Sequence, residues 1–168
     1  PAQVVASRPA LLKRNGAVTA PDGVSNIVFV APQTSYHVAI RHRNHLGVMT
    51  AAPELLNQFG ILVDFTDPAY PAYGTNGRKP VGAAMALWAG DVGTDRVLRY
   101  VGENNDRDPI LVAIGGSVPT ATVAGQYLRE DVNLDGTVKY VGDGNDRDPI
   151  LQNIGGSVPT NTRVEQLP

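Results

Sequence analysis

The chain has 168 residues, with 14 Lys and Arg against 16 Asp and Glu and no Cys. Charge this evenly balanced, without a long basic run, argues against nucleic acid and anionic membranes as partners, and no stretch approaches the roughly 20 apolar residues of a membrane helix. The absence of Cys excludes disulfides and thiolate metal sites. The chain begins at Pro1 without an initiator Met or a signal-like segment, and we expect it to be a processed product or part of a longer protein.

Residues 1–88 are predicted to be β. About six short segments rich in strand-forming residues alternate with turn residues such as Asn15-Gly16 and Pro21-Asp22-Gly23. This spacing predicts a mainly β fold and an Ig-like β-sandwich. Because residues 1–6 resemble the middle of a strand, the first strand of the sandwich is expected to be missing or supplied by another chain. The predicted strands are Val4-Val5, 11–13, 27–30, 36–43, 61–65 and 84–88.

Residues 89–168 contain a tandem repeat, with copies at 91–120 and 131–160. The words Asn-Asp-Arg-Asp-Pro-Ile-Leu and Ile-Gly-Gly-Ser-Val-Pro-Thr recur 40 positions apart, and about two-thirds of the aligned positions are identical. Identity at this level indicates a duplication. Each copy predicts an acidic turn, a short strand and a short helix.

The helix of each copy has predicted boundaries. Asp108 and Asp148 are suited to cap its N-terminus, with the following Pro at its first position. The Gly pairs at 115–116 and 155–156 should end it after about two turns.

The second copy opens with a calcium-loop pattern. A loop of the form Asp-x-Asn-x-Asp-Gly places side-chain oxygens at positions 1, 3 and 5, a Gly at 6 and a backbone carbonyl at 7. These positions are held by Asp131, Asn133, Asp135, Gly136 and Thr137.

The acidic residue expected at position 12 of this loop is replaced by Gly142. We infer a loop lengthened by about six residues, in which Asp148 provides the last ligand. Asp143, Asn145 and Asp146 are nearby substitutes.

The first copy is a weaker match to the calcium pattern. Asp91 and Asp95 remain, but position 3 is Gly93 and position 6 is Arg96. The loss of an oxygen and the gain of a cation should both lower calcium affinity, which Asp106 and Asp108 could partly restore.

A simpler interpretation competes with calcium binding in both copies. Asp, Asn and Gly are common in turns, so the acids could only cap turns and helices. Arg107 and Arg147 could also pair with the neighbouring carboxylates, and this pairing is compatible with either interpretation.

Two such loops, each followed by a short helix and lacking a helix before the loop, resemble a dockerin module, an EF-hand-like calcium repeat, over roughly residues 89–160. The resemblance implies a small domain that is stabilised by calcium and docks onto another protein. The chain as a whole also resembles the C-terminal regions of large secreted or surface bacterial proteins, through words such as Ile40 to Thr50 and Glu165 to Pro168. That similarity implies an extracellular location.

Arg41-His42-Arg43-Asn44-His45 gathers two of the three His residues. One interpretation is a transition-metal site with His37 as third ligand. Against it, positions 42 and 45 should point to opposite faces of a continuing strand, so we favour a polar strand end. A third interpretation is a patch that binds a glycan or carboxylate, with Tyr36, Tyr70 and Tyr73 nearby.

The sequence contains no nucleophile elbow, phosphate loop or zinc-protease helix, so we expect no enzyme. The expected function is a calcium-dependent C-terminal module for adhesion, attachment or assembly, whose partner is another protein, a copy of itself or a glycan. The alternatives are a carbohydrate-binding accessory domain of a secreted enzyme and a subunit that polymerises by strand exchange.

Overall fold

The structure, a computed structural model, describes residues 3–168. Short strands dominate this part of the chain, and two helices accompany them. The mainly β prediction is therefore confirmed. The strands are β1 (Leu11–Leu12), β2 (Val18–Thr19), β3 (Ser35–Tyr36), β4 (Ala39–His42), β5 (His45–Met49), β6 (Glu54–Leu55), β7 (Lys79–Val81), β8 (Ala84–Ala86), β9 (Val97–Arg99), β10 (Thr122–Ala124), β11 (Thr137–Lys139) and β12 (Thr162–Val164), and the helices are α1 (Arg107–Ala113) and α2 (Arg147–Asn153).

Within residues 3–168 the strands pair antiparallel in six separate two-stranded sheets. An Ig-like sandwich requires two larger sheets packed face to face, so that part of the prediction is not confirmed. The predicted strand at 36–43 is divided between β3 and β4, and the one at 84–88 corresponds to β8. Residues 4–5, 27–30 and 61–65 form no strand. The physical reason is that these segments have apolar side chains but no neighbouring backbone with which to form a ladder.

The hairpin of β4 and β5 is the central element of the first half. Along β4 the side chains alternate between exposed and half-buried, because successive residues of a strand point to opposite faces. In β5 every residue from Leu46 to Met49 is buried. The backbone N–H of Leu46 donates to the carbonyl of Trp88, and the hairpin thereby lies directly against the beginning of the repeats.

The two repeat copies exchange strands. Strand β9 of the first copy pairs with β12, which follows the second copy. Strand β11 of the second copy pairs with β10, which follows the first. Each copy therefore completes the sheet of the other, and neither copy can form its ladder alone.

Two clusters of buried side chains hold the repeats together. Corresponding residues of the two copies meet in the first cluster, where Ile110 of α1 and Ile150 of α2 are fully buried. Burial on this scale stabilises the fold by roughly 1.5–3 kcal/mol for each side chain. In the second cluster Leu46 of the hairpin packs against Leu98 and Ile154, with Trp88 at its edge. The hairpin and the repeats therefore share a core.

The helix ends agree only partly with the sequence prediction. Each helix begins at Arg107 or Arg147, so Asp108 and Asp148 lie inside the first turn and are not N-caps. The following Pro is the third helical residue, where an N–H is still not needed within the helix. At the C-terminus of α1, Gly115 and Gly116 have positive φ, and the N–H of Gly116 donates to the carbonyl of Leu111. The predicted helix stop is confirmed, and its geometry is a Schellman motif.

Candidate metal centre

The loop that opens the second copy is organised by its own acidic side chains. The carboxylate of Asp131 is almost fully buried and accepts the backbone N–H groups of Asp135, at 3.1 Å, and Gly136, at 3.0 Å. The Asn133 Oδ1 atom accepts the N–H of Asp135 at 2.8 Å, and Asp135 Oδ1 accepts that of Thr137 at 2.8 Å. The side chains at positions 1, 3 and 5 of the pattern thus accept hydrogen bonds from the backbone N–H groups of residues 135–137.

The backbone of this loop turns through two left-handed residues, Leu134 with φ of 61° and Gly136 with φ of 88°. Position 6 of a calcium loop requires this conformation, which is the reason for its Gly. The first copy has the same geometry although its residues are less suited to it, because Thr94 has φ of 57° and Arg96 has φ of 69°. The two loops therefore keep one backbone path in spite of their different sequences.

Asp146 links the end of the inserted segment to the start of the loop. Its side chain is fully buried and accepts the N–H groups of Val132 at 2.7 Å, Asn133 at 3.1 Å and Lys139 at 2.8 Å. Burial raises its pKa, and the charge of Asp131 raises it further. Two buried carboxylates therefore lie near each other, and the backbone N–H groups that each accepts offset part of the cost of their burial.

Asp148, predicted to supply the last calcium ligand, lies at the start of α2. Its Oδ2 atom accepts the side-chain amide of Asn145 at 2.8 Å, and its backbone N–H donates to Asn145 Oδ1 at 2.9 Å. This reciprocal arrangement is a variant of the capping box. Asp146, and not Asp148, therefore reaches the beginning of the loop. Asp143 is exposed, and its backbone carbonyl accepts the side chain of Lys139.

The first copy repeats the scaffold with fewer side-chain oxygens. Asp106 is fully buried and accepts the N–H groups of Gly93 at 2.9 Å and Arg99 at 2.8 Å. Burial raises its pKa to about 7. Asp95 is paired with the guanidinium of Arg99. Burial also raises the pKa of Asp91.

The remaining residues of the first loop agree with its weaker pattern. Gly93 has no side-chain oxygen to offer, and Asp108 bonds with Asn105 as Asp148 does with Asn145. Asp91 accepts the backbone N–H of Arg96 through both carboxylate oxygens, each at 3.3 Å. The second copy therefore carries the larger number of side-chain oxygens around its loop, since Asn133 stands where the first copy has Gly93.

Within residues 3–168 no three His, Cys, Asp or Glu side chains are grouped so that they could hold a metal ion by themselves. A calcium ion at the second loop would therefore need ligands beyond these side chains. The amide oxygen of Asn133, the carbonyl of Thr137 and water are the oxygens that the calcium-loop pattern supplies.

Two residues that the sequence did not mark as important connect the rest of the chain to the loops. Asn44 is fully buried, and its side-chain amide donates to the carbonyls of Arg129, at 2.7 Å, and Asp131, at 2.8 Å. Glu165 is also buried and accepts the N–H of Gly47 at 2.7 Å and the guanidinium of Arg41 at 2.7 Å. Both lie in segments that the sequence analysis names, but their partners are distant in the chain, so only the tertiary structure reveals these contacts.

The hairpin also changes the interpretation of the His segment. The chain reverses at Arg43 and Asn44, so His42 and His45 are cross-strand partners and do not point to opposite faces. Their Nδ1 atoms are 2.9 Å apart and the rings meet edge to face. Burial lowers the pKa of His45 to about 3. The pair is therefore a neutral, hydrogen-bonded part of the hairpin.

The tyrosines named for a glycan patch have other contacts. The Tyr70 hydroxyl donates to Glu54 at 2.6 Å, and its ring meets Phe65 edge to face. Tyr36 donates its hydroxyl to the carbonyl of Pro32. These contacts fix Tyr70 and Tyr36 within the fold, whereas Tyr73 is exposed.

Comparison of the chain with models of protein families, with curated proteins and with solved structures finds no match. In the part of the chain that the structure describes, no helix has the length and apolar character needed to cross a membrane.

Proposed function

We propose that this chain is a non-catalytic, calcium-stabilised module of a secreted or cell-surface bacterial protein, used for adhesion, attachment or assembly. The observation that carries the proposal is the second loop, in which Asp131, Asn133 and Asp135 adopt successive side-chain-to-backbone turns around a left-handed Gly136. The dockerin-like sequence pattern supports the same assignment of Ca²⁺.

The electrostatics of the loop support a cation. Asp131 and Asp146 are both buried and close enough for the charge of one to raise the pKa of the other. The ion pair of Asp131 with Arg43 is long, at 3.9 Å. A Ca²⁺ ion with Asp131, Asn133, Asp135 and the Thr137 carbonyl among its ligands would compensate for this charge.

A weak site suffices for this role outside the cell. Extracellular calcium modules bind with dissociation constants of about 10⁻⁴–10⁻³ M. At a calcium concentration about ten times the dissociation constant, binding stabilises the folded state by about 1.4 kcal/mol. Because the two copies exchange strands, calcium bound in one loop would stabilise the whole repeat.

We also propose that β1 to β8 belong to an Ig-like β-sandwich of which residues 3–88 supply only a part. The exposed apolar segments around Val28 and Leu62 support this proposal, since strands of a sandwich carry such residues on their inner face.

Thermal unfolding in millimolar Ca²⁺, in Mg²⁺ and in a chelator tests the calcium proposal, with the metal content measured on the same sample. A rise in Tm with Ca²⁺, a smaller rise with Mg²⁺ and bound calcium by elemental analysis are expected. An unchanged Tm without bound metal would mean that the acidic loops are only turns. Hydrolytic activity of the chain on a broad substrate panel would contradict the non-catalytic assignment.

A further inference from the structure

The segment from Ile27 to Ala31 is apolar and has no partner. Val28 is 72% exposed and Val30 is 83% exposed, whereas Ile27 is half-buried. Among the described residues, none of the backbone N–H or carbonyl groups of this segment takes part in a hydrogen bond. Its β-branched and aromatic side chains are those that favour strands. The segment therefore has the composition of a strand and lacks only a ladder.

The accessible surface area of the chain is larger than that of a typical compact monomer of the same mass. A compact monomer of 17.8 kDa is expected to expose roughly 8,000 Å². The chain exposes 9878 Å², which is more by roughly 1,900 Å². A standard protein–protein interface buries about 800 Å² on each partner. The excess is therefore larger than the area that one partner contributes to such an interface.

The excess apolar surface is concentrated in the first 62 residues. Twelve of the large apolar side chains that are exposed lie in this part, including Val4, Val24, Phe59 and Leu62, each more than three-quarters exposed. An apolar surface of this kind marks an interaction site.

The chemistry of the segment indicates which partner it fits. No charged residue lies between Asp22 and Arg41, so two copies of the segment can approach without repulsion between like charges. An antiparallel pairing centred on Phe29 places Val28 opposite Val30 and Ile27 opposite Ala31, and every pair is apolar. Such a pairing has twofold symmetry and closes on itself.

We propose that residues 27–31 pair with the same segment of a second copy of this chain, forming a symmetric antiparallel dimer by strand addition. This pairing supplies the missing ladder and brings the exposed valines of the two copies into cross-strand contact. The choice of a second copy as the partner rests on the assembly role proposed above. The pairing does not depend on calcium, because the paired segment lies outside the repeats.

The oligomeric state of the whole chain tests the proposal. Light scattering during size-exclusion chromatography, over about 1–100 µM protein, should give the mass of two chains at the upper concentrations. Hydrogen exchange should show protected amides at 27–31 in the dimer only. The double variant Val28→Lys, Val30→Lys places Lys opposite Lys twice and should weaken dimerisation at least tenfold.

Both valines are exposed, so at a concentration where both proteins are monomers the double variant should have the Tm and the calcium response of the unaltered chain, because only association adds stability that depends on concentration. A matched control, Val112→Lys with Val158→Lys, places two charges on exposed valines of the repeats and should leave the dimer intact. A monomer at every concentration, or a dimer that persists in the 28/30 variant, would overturn the inference. Loss of the calcium-dependent Tm shift with dimerisation intact would count against the calcium proposal alone.

Discussion

The side-chain amide of Asn44 donates to the backbone carbonyl of Asp131 at 2.8 Å, and so joins the β4–β5 hairpin to the first residue of the second loop. The backbone carbonyl of Asn44 accepts the N–H of Asp91 at 3.0 Å, and Asp91 is the first residue of the other loop. One residue of the first half therefore holds the starting points of both acidic loops. This connection makes the hairpin and the repeats a single structural unit.

Replacement of Asn44 by Ala should destabilise the chain by about 2–3 kcal/mol, because it leaves the buried carbonyl of Asp131 and the part-buried carbonyl of Arg129 without donors. Urea unfolding measures the change. Asn57→Ala is a suitable control, since Asn57 makes only a local turn bond in an exposed position, and it should cost less than about 1 kcal/mol. Equal losses for the two variants would show that Asn44 is only a turn residue.

Asp135→Ala should lower calcium affinity at least tenfold, or about 1.4 kcal/mol, because it removes a carboxylate with no ion pair of its own from the better loop. The aligned variant Asp95→Ala should have a much smaller effect, since Asp95 is already paired with Arg99. Isothermal titration with Ca²⁺ measures both affinities. Similar losses would contradict the assignment of the second loop as the stronger site.

Gly136→Ala should destabilise the second loop by roughly 1–2 kcal/mol. A Cβ at this position meets no atom within 4 Å, so the cost arises from the left-handed φ of 88° alone. Gly136→Arg adds a cation to the same strain and should lower calcium affinity below that of the Ala variant. Chemical denaturation and calcium titration of both variants separate strain from charge. Equal calcium affinities would exclude an effect of the charge.

Arg96→Gly tests the same position in the first copy. Gly removes the strain of a left-handed φ at this position, but it also raises the conformational entropy of the unfolded chain. Because the two effects oppose each other, the free energy of unfolding in a chelator should change little. Removal of the cation should raise calcium binding by the first loop. The measurement is the number of calcium ions bound per chain, and an unchanged number would show that Gly93 is the dominant defect.

Asp106 should make stability depend on pH in the absence of calcium. Its pKa is about 7 in the folded chain and near 3.8 when unfolded, so the folded state binds this proton more tightly. The stabilisation is complete below about pH 4 and is lost as the pH rises through 7, with a slope approaching 1.4 kcal/mol per pH unit. Calcium binds deprotonated carboxylates, and the calcium-dependent rise in Tm should therefore grow over the same interval.

Asp106→Asn should flatten this pH dependence, whereas Asp108→Asn, on an exposed residue, should leave it unchanged. Unfolding curves in chelator at a series of pH values give both slopes. A slope that persists in the Asp106 variant would assign the titration to another group.

Several features were predictable because they depend on local chemistry. The Gly pairs end the helices, since only Gly readily adopts consecutive positive φ angles. The duplication also indicated two loops of related structure. The predicted side-chain caps lie three residues too far along the chain, because Asn145, and not Asp148, supplies the acceptor at the helix start. Asp and Asn are equally good caps, so the sequence could not discriminate between them.

The sequence by itself determined the repeated units, the acidic loops, the short helices and the β character of the chain, because each of these follows from residues close together. The tertiary structure decided the strand exchange between the copies, the turn that brings His42 to His45 and the role of Asn44. These contacts join residues that are distant in the chain or separated by a reversal, and their partners depend on packing in three dimensions. The unpaired strand segment at 27–31 has the same origin, because a ladder requires a second backbone that local sequence cannot specify.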